Sequence, residues 1–144
     1  MAHSADVDAG QSGPVETMLA SDAATRMLGI ELLEYGDGWA RTALTVRDDM
    51  VNGHGMCHGG IVFAFADSAF AFACNSHGDP MVAAGASIEF LAPTPRGERV
   101  IATAAEVSRS ARHGIYDVAV ADVSGTVLAQ FRGRCSRFRG ANQS

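Results

Sequence analysis

The order of apolar and polar positions along the chain predicts one long buried helix with strands on either side of it. From Ile61 to Cys74 every residue is apolar except Asp67 and Ser68. Apolar residues therefore occur all round the helix, which is typical of a helix buried within a fold. We predict this helix over 60–75, where turn-forming residues end it.

Strands are predicted before and after this helix. Gly36-Asp37-Gly38 is a strong hairpin signal between strands at 30–35 and 39–46. Four further strands are predicted at 81–92, 98–109, 113–122 and 126–138. An earlier helix is predicted from Pro14 to a stop at Gly29. The fold class is therefore α+β, with a long antiparallel sheet wrapped around one central hydrophobic helix.

Length and composition favour a single domain. The chain has 144 residues, of which 1–13 are small and polar and are predicted to be a disordered tail. The single domain is predicted over 14–140. The N-terminus lacks the basic and apolar segments of a signal peptide, and no apolar run is long enough to cross a bilayer. We therefore expect a cytoplasmic protein with no membrane partner.

Charge and cysteine content exclude several classes of protein. A net charge of −5 argues against a nucleic-acid partner. The three cysteines, Cys57, Cys74 and Cys135, form no CxxC pair, so neither a disulfide framework nor a zinc site is expected. His54 and His58 are not on a helix and have no third ligand, so no metal site is predicted. A Cys57–His58 nucleophile is also disfavoured, because adjacent residues rarely face each other.

Asp67 is the only charged residue of the predicted central helix. Burying a carboxylate among apolar side chains is costly unless it is paired or used in chemistry. The alternative is that Asp67 points to solvent or pairs with an arginine. In a partly dry site its pKa would rise, which suits a general base near neutral pH.

The residues His58-Gly59-Gly60 precede that helix. Unpaired backbone N–H groups and the positive end of the helix dipole lie at such a start, and glycines let a ligand approach the backbone. A carbonyl oxygen placed there would have its developing negative charge stabilised. The alternative, that the glycines only make a tight turn, stays open. His58 could position a substrate or brace the loop, and Asn52 could hold a water or only form a turn.

The segment from Asn52 to Gly60, followed by Asp67-Ser68-Ala69, resembles the active-site signature of the hotdog-fold thioesterases. The branch it is most similar to is the phenylacetic-acid-degradation (PaaI-type) branch. Three further stretches carry the resemblance, which covers about residues 15 to 138: 86–93, 116–118 and 131–134.

This resemblance implies hydrolysis of acyl-CoA thioesters, with an aryl or arylacetyl chain such as phenylacetyl. It carries over Asn52, His58, Gly59 and Asp67 as the catalytic set, with Asp67 as general base or as nucleophile. It also implies a homo-oligomer, a dimer of dimers, whose active sites lie at the dimer interface. Coenzyme A is part of the substrate, and no separate cofactor is expected. The segment 82–84 offers no supporting hydroxyl.

The coenzyme would be held by Gly60 and by arginines. All 11 basic residues are arginine, and eight of them lie from Arg96 onward, against four acidic residues up to Arg139, a local balance of 8 − 4 = +4. Arg109, Arg112 and Arg134 flank strand ends and are the candidates for the phosphates. The alternative is a solvated, ion-paired sheet surface.

Two other functions remain open from the sequence. One is a hotdog module that binds acyl-CoA without cleaving it. The other is hydration of an enoyl-CoA, which the absence of a histidine on the helix disfavours. The walls of the acyl pocket are expected near Phe63 and Phe70 and from the second subunit.

Overall fold

The computed structural model describes residues 13–138, which form three α-helices and six β-strands. Residues 1–12 of the predicted disordered tail lie outside this range, as do residues 139 and 140 of the predicted domain. Gly13, the last residue of that tail, is the N-cap of the first helix. The elements in chain order are α1 (Pro14–Ser21), α2 (Ala23–Leu28), β1 (Glu31–Gly36), β2 (Trp39–Thr45), α3 (Gly59–Asn75), β3 (Met81–Phe90), β4 (Arg99–Arg109), β5 (His113–Asp122) and β6 (Val127–Arg137).

The six strands form one antiparallel sheet in the order β1-β2-β4-β5-β6-β3. The chain therefore crosses over twice: α3 carries it from β2 to β3 at the opposite edge, and the segment after β3 returns it to β4 beside β2. Strand β3 pairs only with β6, so its other edge is unpaired within the part of the chain that the structure describes. This is the predicted α+β arrangement.

Helix α3 packs against one face of the sheet through aromatic side chains. Phe65, Phe70 and Phe72 are buried, and the Phe70 ring lies 5.9 Å from the Tyr116 ring and 5.7 Å from the Phe131 ring. Aromatic pairs at such distances add to the stability that apolar burial supplies. At the C-terminal end of α3, the Asn75 side chain donates to the Met81 carbonyl and accepts the Met81 N–H. These two bonds tie the end of α3 to the start of β3.

Two features of the helices differ from the prediction. The single helix from Pro14 is in fact two, because Asp22 ends α1 and accepts the Thr25 N–H as the N-cap of α2. Helix α3 is not buried on every side. A stripe that includes Phe63, Asp67 and Ser68 is only half-buried.

Within residues 13–138, no helix is long and apolar enough to cross a membrane. The same residues contain no group of three or more His, Cys, Asp or Glu side chains arranged to hold a metal ion. Cys57, Cys74 and Cys135 are buried and unpaired by disulfides.

Candidate active site

The loop before α3 is fixed by backbone hydrogen bonds. The His58 N–H donates to the Met50 carbonyl at 2.8 Å, and the Cys57 N–H donates to the Thr94 carbonyl at 2.8 Å. A short bridge between Val51 and Cys57 closes the loop on itself, and one between Met56 and Pro95 holds it against the segment that follows β3. The start of α3 is therefore placed beside the end of β3.

His58 is the N-cap of α3, and its Nδ1 atom accepts the Gly60 N–H at 3.1 Å. The His58 carbonyl accepts the N–H groups of Ile61 and Val62. Of the four N–H groups at this helix start, only that of Gly59 has no partner among the described residues. The predicted carbonyl-polarising site therefore has one free backbone donor, Gly59, whereas the Gly60 donor is already engaged by His58.

Asn52 organises the turn that leads to His58. Its Oδ1 accepts the N–H groups of His54 at 2.9 Å and of Met56 at 3.3 Å. Its backbone N–H donates to the Met56 carbonyl at 2.7 Å. Both alternatives raised for Asn52 are thus compatible: the carbonyl half of the amide builds the turn, while the Nδ2 half has no partner within residues 13–138 and can donate.

A cavity of about 390 Å³ brings Asn52 and Gly59 together. Its wall is largely apolar, and Phe90 and Leu91 in it are 55% and 60% exposed. The remaining lining residues are Met56, Cys57, Val62, Ala92, Pro93 and Thr94. The Phe90 ring lies so close to the Gly59 backbone that a Cβ atom at Gly59 would be 3.2 Å from Phe90 Cζ. A side chain at position 59 would therefore crowd the Phe90 ring and push it aside next to the Gly59 N–H.

Neither Phe63 nor Phe70, the two residues expected near the acyl pocket, lines this cavity within one chain. Phe70 belongs to the core beneath the sheet and does not line the cavity, and Phe63 packs edge-on against Phe131 at 5.3 Å. Cys57 does line it, but burial raises the pKa of the Cys57 thiol to about 11. A thiol that is protonated at neutral pH is a poor nucleophile.

Asp67 is half-buried on α3, and its carboxylate makes no hydrogen bond or ion pair within the described part of the chain. Burial raises the pKa of Asp67, and the nearby negative charge of Asp22 raises it further. Asp67 therefore does not form the ion pair with an arginine that was considered as an alternative, within residues 13–138. A carboxyl group with a raised pKa is suited to take a proton near neutral pH.

Asp67 does not share the cavity with Asn52 and Gly59. It lies eight positions after Gly59, which at the rise of an α-helix is roughly 12 Å along the axis. A single chain thus presents the carboxylate and the carbonyl-polarising end of α3 at separate places.

The candidate arginines lie elsewhere on the sheet. Arg109 Nη2 is 3.8 Å from Asp79, at the end of the sheet where α3 terminates. Arg112 lies in the adjoining turn, where its carbonyl accepts the Arg137 N–H. Helix α3 has 17 residues, so its two ends are roughly 24 Å apart. Arg109 and Arg112 are therefore far from the Gly59 cavity of their own chain.

Arg134 lies on the outer face of the sheet, since its neighbour Gly133 faces α3. It lines a second cavity of about 300 Å³ with Ser87 and Arg132. Arg132 is already held in a two-point ion pair with Asp117 at 2.6 and 2.9 Å. Arg134 makes only a weak 3.4 Å contact with the Ala84 carbonyl. Of the two arginines, Arg134 has the free hydrogen-bonding capacity.

Residues 54–129 match the family description of the thioesterase superfamily. The chain is 39% identical to the acyl-coenzyme A thioesterase PaaI of Escherichia coli over 123 residues, 85% of this chain and 88% of that protein. It is 32% identical to a putative esterase of Archaeoglobus fulgidus, over 83% of this chain and 78% of that one. The chain belongs to the thioesterase superfamily.

Solved structures agree with this family. The structure of E. coli PaaI, from the phenylacetic acid degradation operon, matches with a TM-score of 0.86 at 38% identity, covering 88% of this chain and 92% of that one. An asparagine-to-aspartate variant of PaaI from Thermus thermophilus matches with a TM-score of 0.78 at 39% identity, covering 81% and 100%. The predicted hotdog fold and the predicted enzyme class, a thioester hydrolase of the acyl-CoA thioesterase type, are confirmed.

Sequence reasoning missed two parts of this region. Phe90 and Leu91 were not singled out as cavity wall, although apolar residues at the end of a predicted strand and just before Pro93 were a usable signal. The proximity of Asp22 to Asp67 was also missed, because the two residues are 45 positions apart and no local pattern joins them.

Proposed function

We propose that the protein hydrolyses aryl- or arylacetyl-CoA thioesters, such as phenylacetyl-CoA and its hydroxylated relatives, to the free acid and coenzyme A. The observation that carries this proposal is the half-buried, unpaired Asp67 carboxylate with its raised pKa. The apolar wall that Phe90, Leu91 and Met56 give the Gly59 cavity supports a flat aromatic acyl group.

The thioester carbonyl would accept the free Gly59 N–H, which stabilises the negative charge that develops on its oxygen. A water molecule would attack the carbonyl carbon while Asp67 takes its proton. The C–S bond would then break, and the departing thiolate of coenzyme A would take up a proton. Asn52 Nδ2 is the donor available to orient the water. Direct attack by Asp67, giving a mixed anhydride, is the alternative pathway.

The site would be completed by a second copy of the chain. The unpaired edge of β3 exposes Val82 and Phe90, and such an edge is a ready template for another strand. Antiparallel pairing of two β3 edges would place the Phe90 end of one beside the Met81 end of the other. Phe90 lies at the start of α3, and Met81 at its end. The two α3 helices would then run in opposite directions, with Asp67 of one copy facing the Gly59 cavity of the other.

This arrangement also gives the arginines a role. Arg109 and Arg112 lie at the end of α3, which in the pair would approach the neighbour's cavity, and Arg134 lies near the β3 edge. They would bind the phosphates of coenzyme A. Charge reversal at Arg109 and Arg112, or Arg134→Ala, should raise KM for a CoA substrate with little change in kcat. Arg41→Ala, on β2 far from β3, is the matched control and should leave KM unchanged.

The function is tested by following thiol release with a chromogenic reagent. A panel of phenylacetyl-, hydroxyphenylacetyl-, benzoyl- and straight-chain acyl-CoA substrates should show a preference for the aromatic ones. Asp67→Asn should lower kcat about 10²- to 10⁴-fold, whereas Asp37→Asn on the exposed hairpin turn controls for the lost charge. Saturable binding without thiol release by the wild-type protein would instead identify a binding module.

Two further measurements refine the proposal. A single turnover in ¹⁸O-water identifies an anhydride that opens at the Asp67 carbonyl, because only that route leaves the label on the protein, whereas direct water attack labels only the acid product. Light scattering with size-exclusion chromatography tests the homo-oligomer, for which a dimer of dimers is expected. A monomer at working concentration would contradict the shared site.

A further inference from the structure

The connection between α1 and α2 brings a second carboxylate close to α3. Asp22 is half-buried and stands between the two helices. Its Oδ1 accepts the Thr25 N–H at 3.0 Å, and its Oδ2 accepts the Thr25 hydroxyl at 2.7 Å. Two bonds to one residue fix both oxygens of the carboxylate, so its position is set by the N-terminal turn of α2.

A hydrogen bond links this turn to the helix that carries Asp67. Thr25 Oγ1 and Ser68 Oγ are 3.0 Å apart. Since the only hydroxyl proton of Thr25 goes to Asp22, Ser68 is the donor in this second bond. Thr25 is buried, so the link is shielded from competing water. The chain Asp22–Thr25–Ser68 therefore ends one residue from the catalytic carboxylate.

The other titratable groups around α3 do not compete with Asp22. On α1, the Glu16 carboxylate accepts the Tyr35 hydroxyl. On α3 and the sheet, burial raises the pKa of the Cys74 thiol and of the Tyr116 hydroxyl, which keeps both neutral.

Two further groups complete the surroundings of α3. Burial raises the pKa of the Cys135 thiol on β6. The Glu106 carboxylate lies 2.7 Å from the His77 ring, past the end of α3. Among the described residues, Asp22 is the one charge that raises the pKa of Asp67.

We propose that Asp22 is a positioning residue for thioester hydrolysis: held by Thr25 and Ser68 beside α3, it uses its negative charge to keep Asp67 a strong proton acceptor. Asp22 would contact neither the substrate nor the attacking water, and it acts through Asp67. When the attacking water gives up its proton, the Asp67 carboxylate becomes neutral and repulsion between the two carboxylates is relieved. This inference rests on the proposed function of Asp67.

The test compares the pH dependence of kcat/KM in three variants. Asp22→Asn removes the charge and keeps the oxygen that accepts the Thr25 N–H, although its NH2 group no longer accepts the Thr25 hydroxyl. Asp22→Ser is a second neutral cap should the first not fold. In both, the acid limb of the profile should move to lower pH and the plateau should fall. Asp37→Asn removes one charge from the exposed hairpin turn without touching the link to Ser68, and its acid limb should stay in place.

A folded Asp22→Asn whose acid limb coincides with that of the wild type overturns the inference. So does an Asp37→Asn variant whose limb moves as far as that of Asp22→Asn. Carbon-13 NMR titration of the Asp67 carboxyl group, assigned with Asp67→Asn, measures the same shift without an assay. Absence of thiol release from the wild type would refute the proposed function instead, whereas the NMR shift would still report on Asp22.

Discussion

The Nδ1 atom of His58 accepts the backbone N–H of Gly60 at 3.1 Å, so this histidine caps the helix that carries Asp67. Removing the cap in His58→Ala should lower the free energy of unfolding by about 0.5–2 kcal/mol. His58→Asn can cap in the same way and should restore most of that stability. Urea denaturation measures both variants.

Kinetics of the same pair of variants separates the two roles considered for His58. If His58 only braces the helix start, His58→Asn should recover kcat/KM together with stability. A stable His58→Asn variant with low kcat/KM would show that the ring also contacts the substrate. An Ala variant as stable as the wild type would contradict the capping role.

Asp67 should cost the protein stability at neutral pH. Its folded-state pKa is raised by burial and by Asp22, so the folded protein holds this proton more tightly than the unfolded chain does. Above that pKa the half-buried carboxylate is ionised and opposes folding. Asp67→Asn should therefore raise Tm at neutral pH, and the gain should vanish once the pH falls below the ordinary carboxyl pKa.

Differential scanning calorimetry from acid to neutral pH tests this dependence, with Asp37→Asn as the control for net charge. A Tm difference for Asp67→Asn that stays constant with pH would be inconsistent with the raised pKa.

Asn52 should tolerate an aspartate in its structural role but not in the catalytic role proposed for it. A carboxylate can still accept the N–H groups of His54 and Met56, so Asn52→Asp should fold like the wild type. It loses the amide donor that faces the cavity, and kcat/KM should fall about 10²-fold if the water is misplaced. Asn52→Ala loses both turn bonds and should also be less stable. Wild-type turnover by Asn52→Asp would exclude the amide from the reaction.

Gly133 makes room for the core of the fold. A Cβ atom there would lie 2.7 to 2.8 Å from three atoms of the Phe70 ring. Gly133→Ala should therefore lower the free energy of unfolding by about 1–3 kcal/mol through overpacking. Combining it with Phe70→Leu should recover part of the loss, and Gly53→Ala, with nothing within 4 Å, is the neutral control. An unchanged denaturation midpoint for Gly133→Ala would contradict this packing.

Most of the fold could be predicted because the ends of its strands are set by turn residues next to them in the sequence. Turns at Gly38, Gly97 and Gly125 take positive φ angles that favour glycine, and they delimit strands whose bounds lie within two residues of the prediction. The break at Asp22 was missed because an aspartate in a polar run is equally typical of the exposed surface of a continuous helix.

The site was predictable only where it is contiguous in sequence. Asn52, His58 and Gly59 lie in one loop and helix start, so their proximity follows from the chain. The cavity wall at Phe90 depends on which strand ends up at the sheet edge, and strand order is a non-local property. The sequence also could not show that the Asn52 carbonyl oxygen bonds within the turn while its NH2 group stays free, because that depends on the loop geometry.

The separation of Gly59 and Asp67 along α3 has a genetic consequence. In the proposed pair, a site combines the helix start of one copy with the carboxylate of the other. Two inactive variants, one altered at Asn52 and one at Asp67, should then complement each other when co-expressed. Each mixed dimer would contain one site built from two intact halves, so random mixing should restore roughly a quarter of the wild-type sites. Activity would thus be a property encoded across two polypeptides.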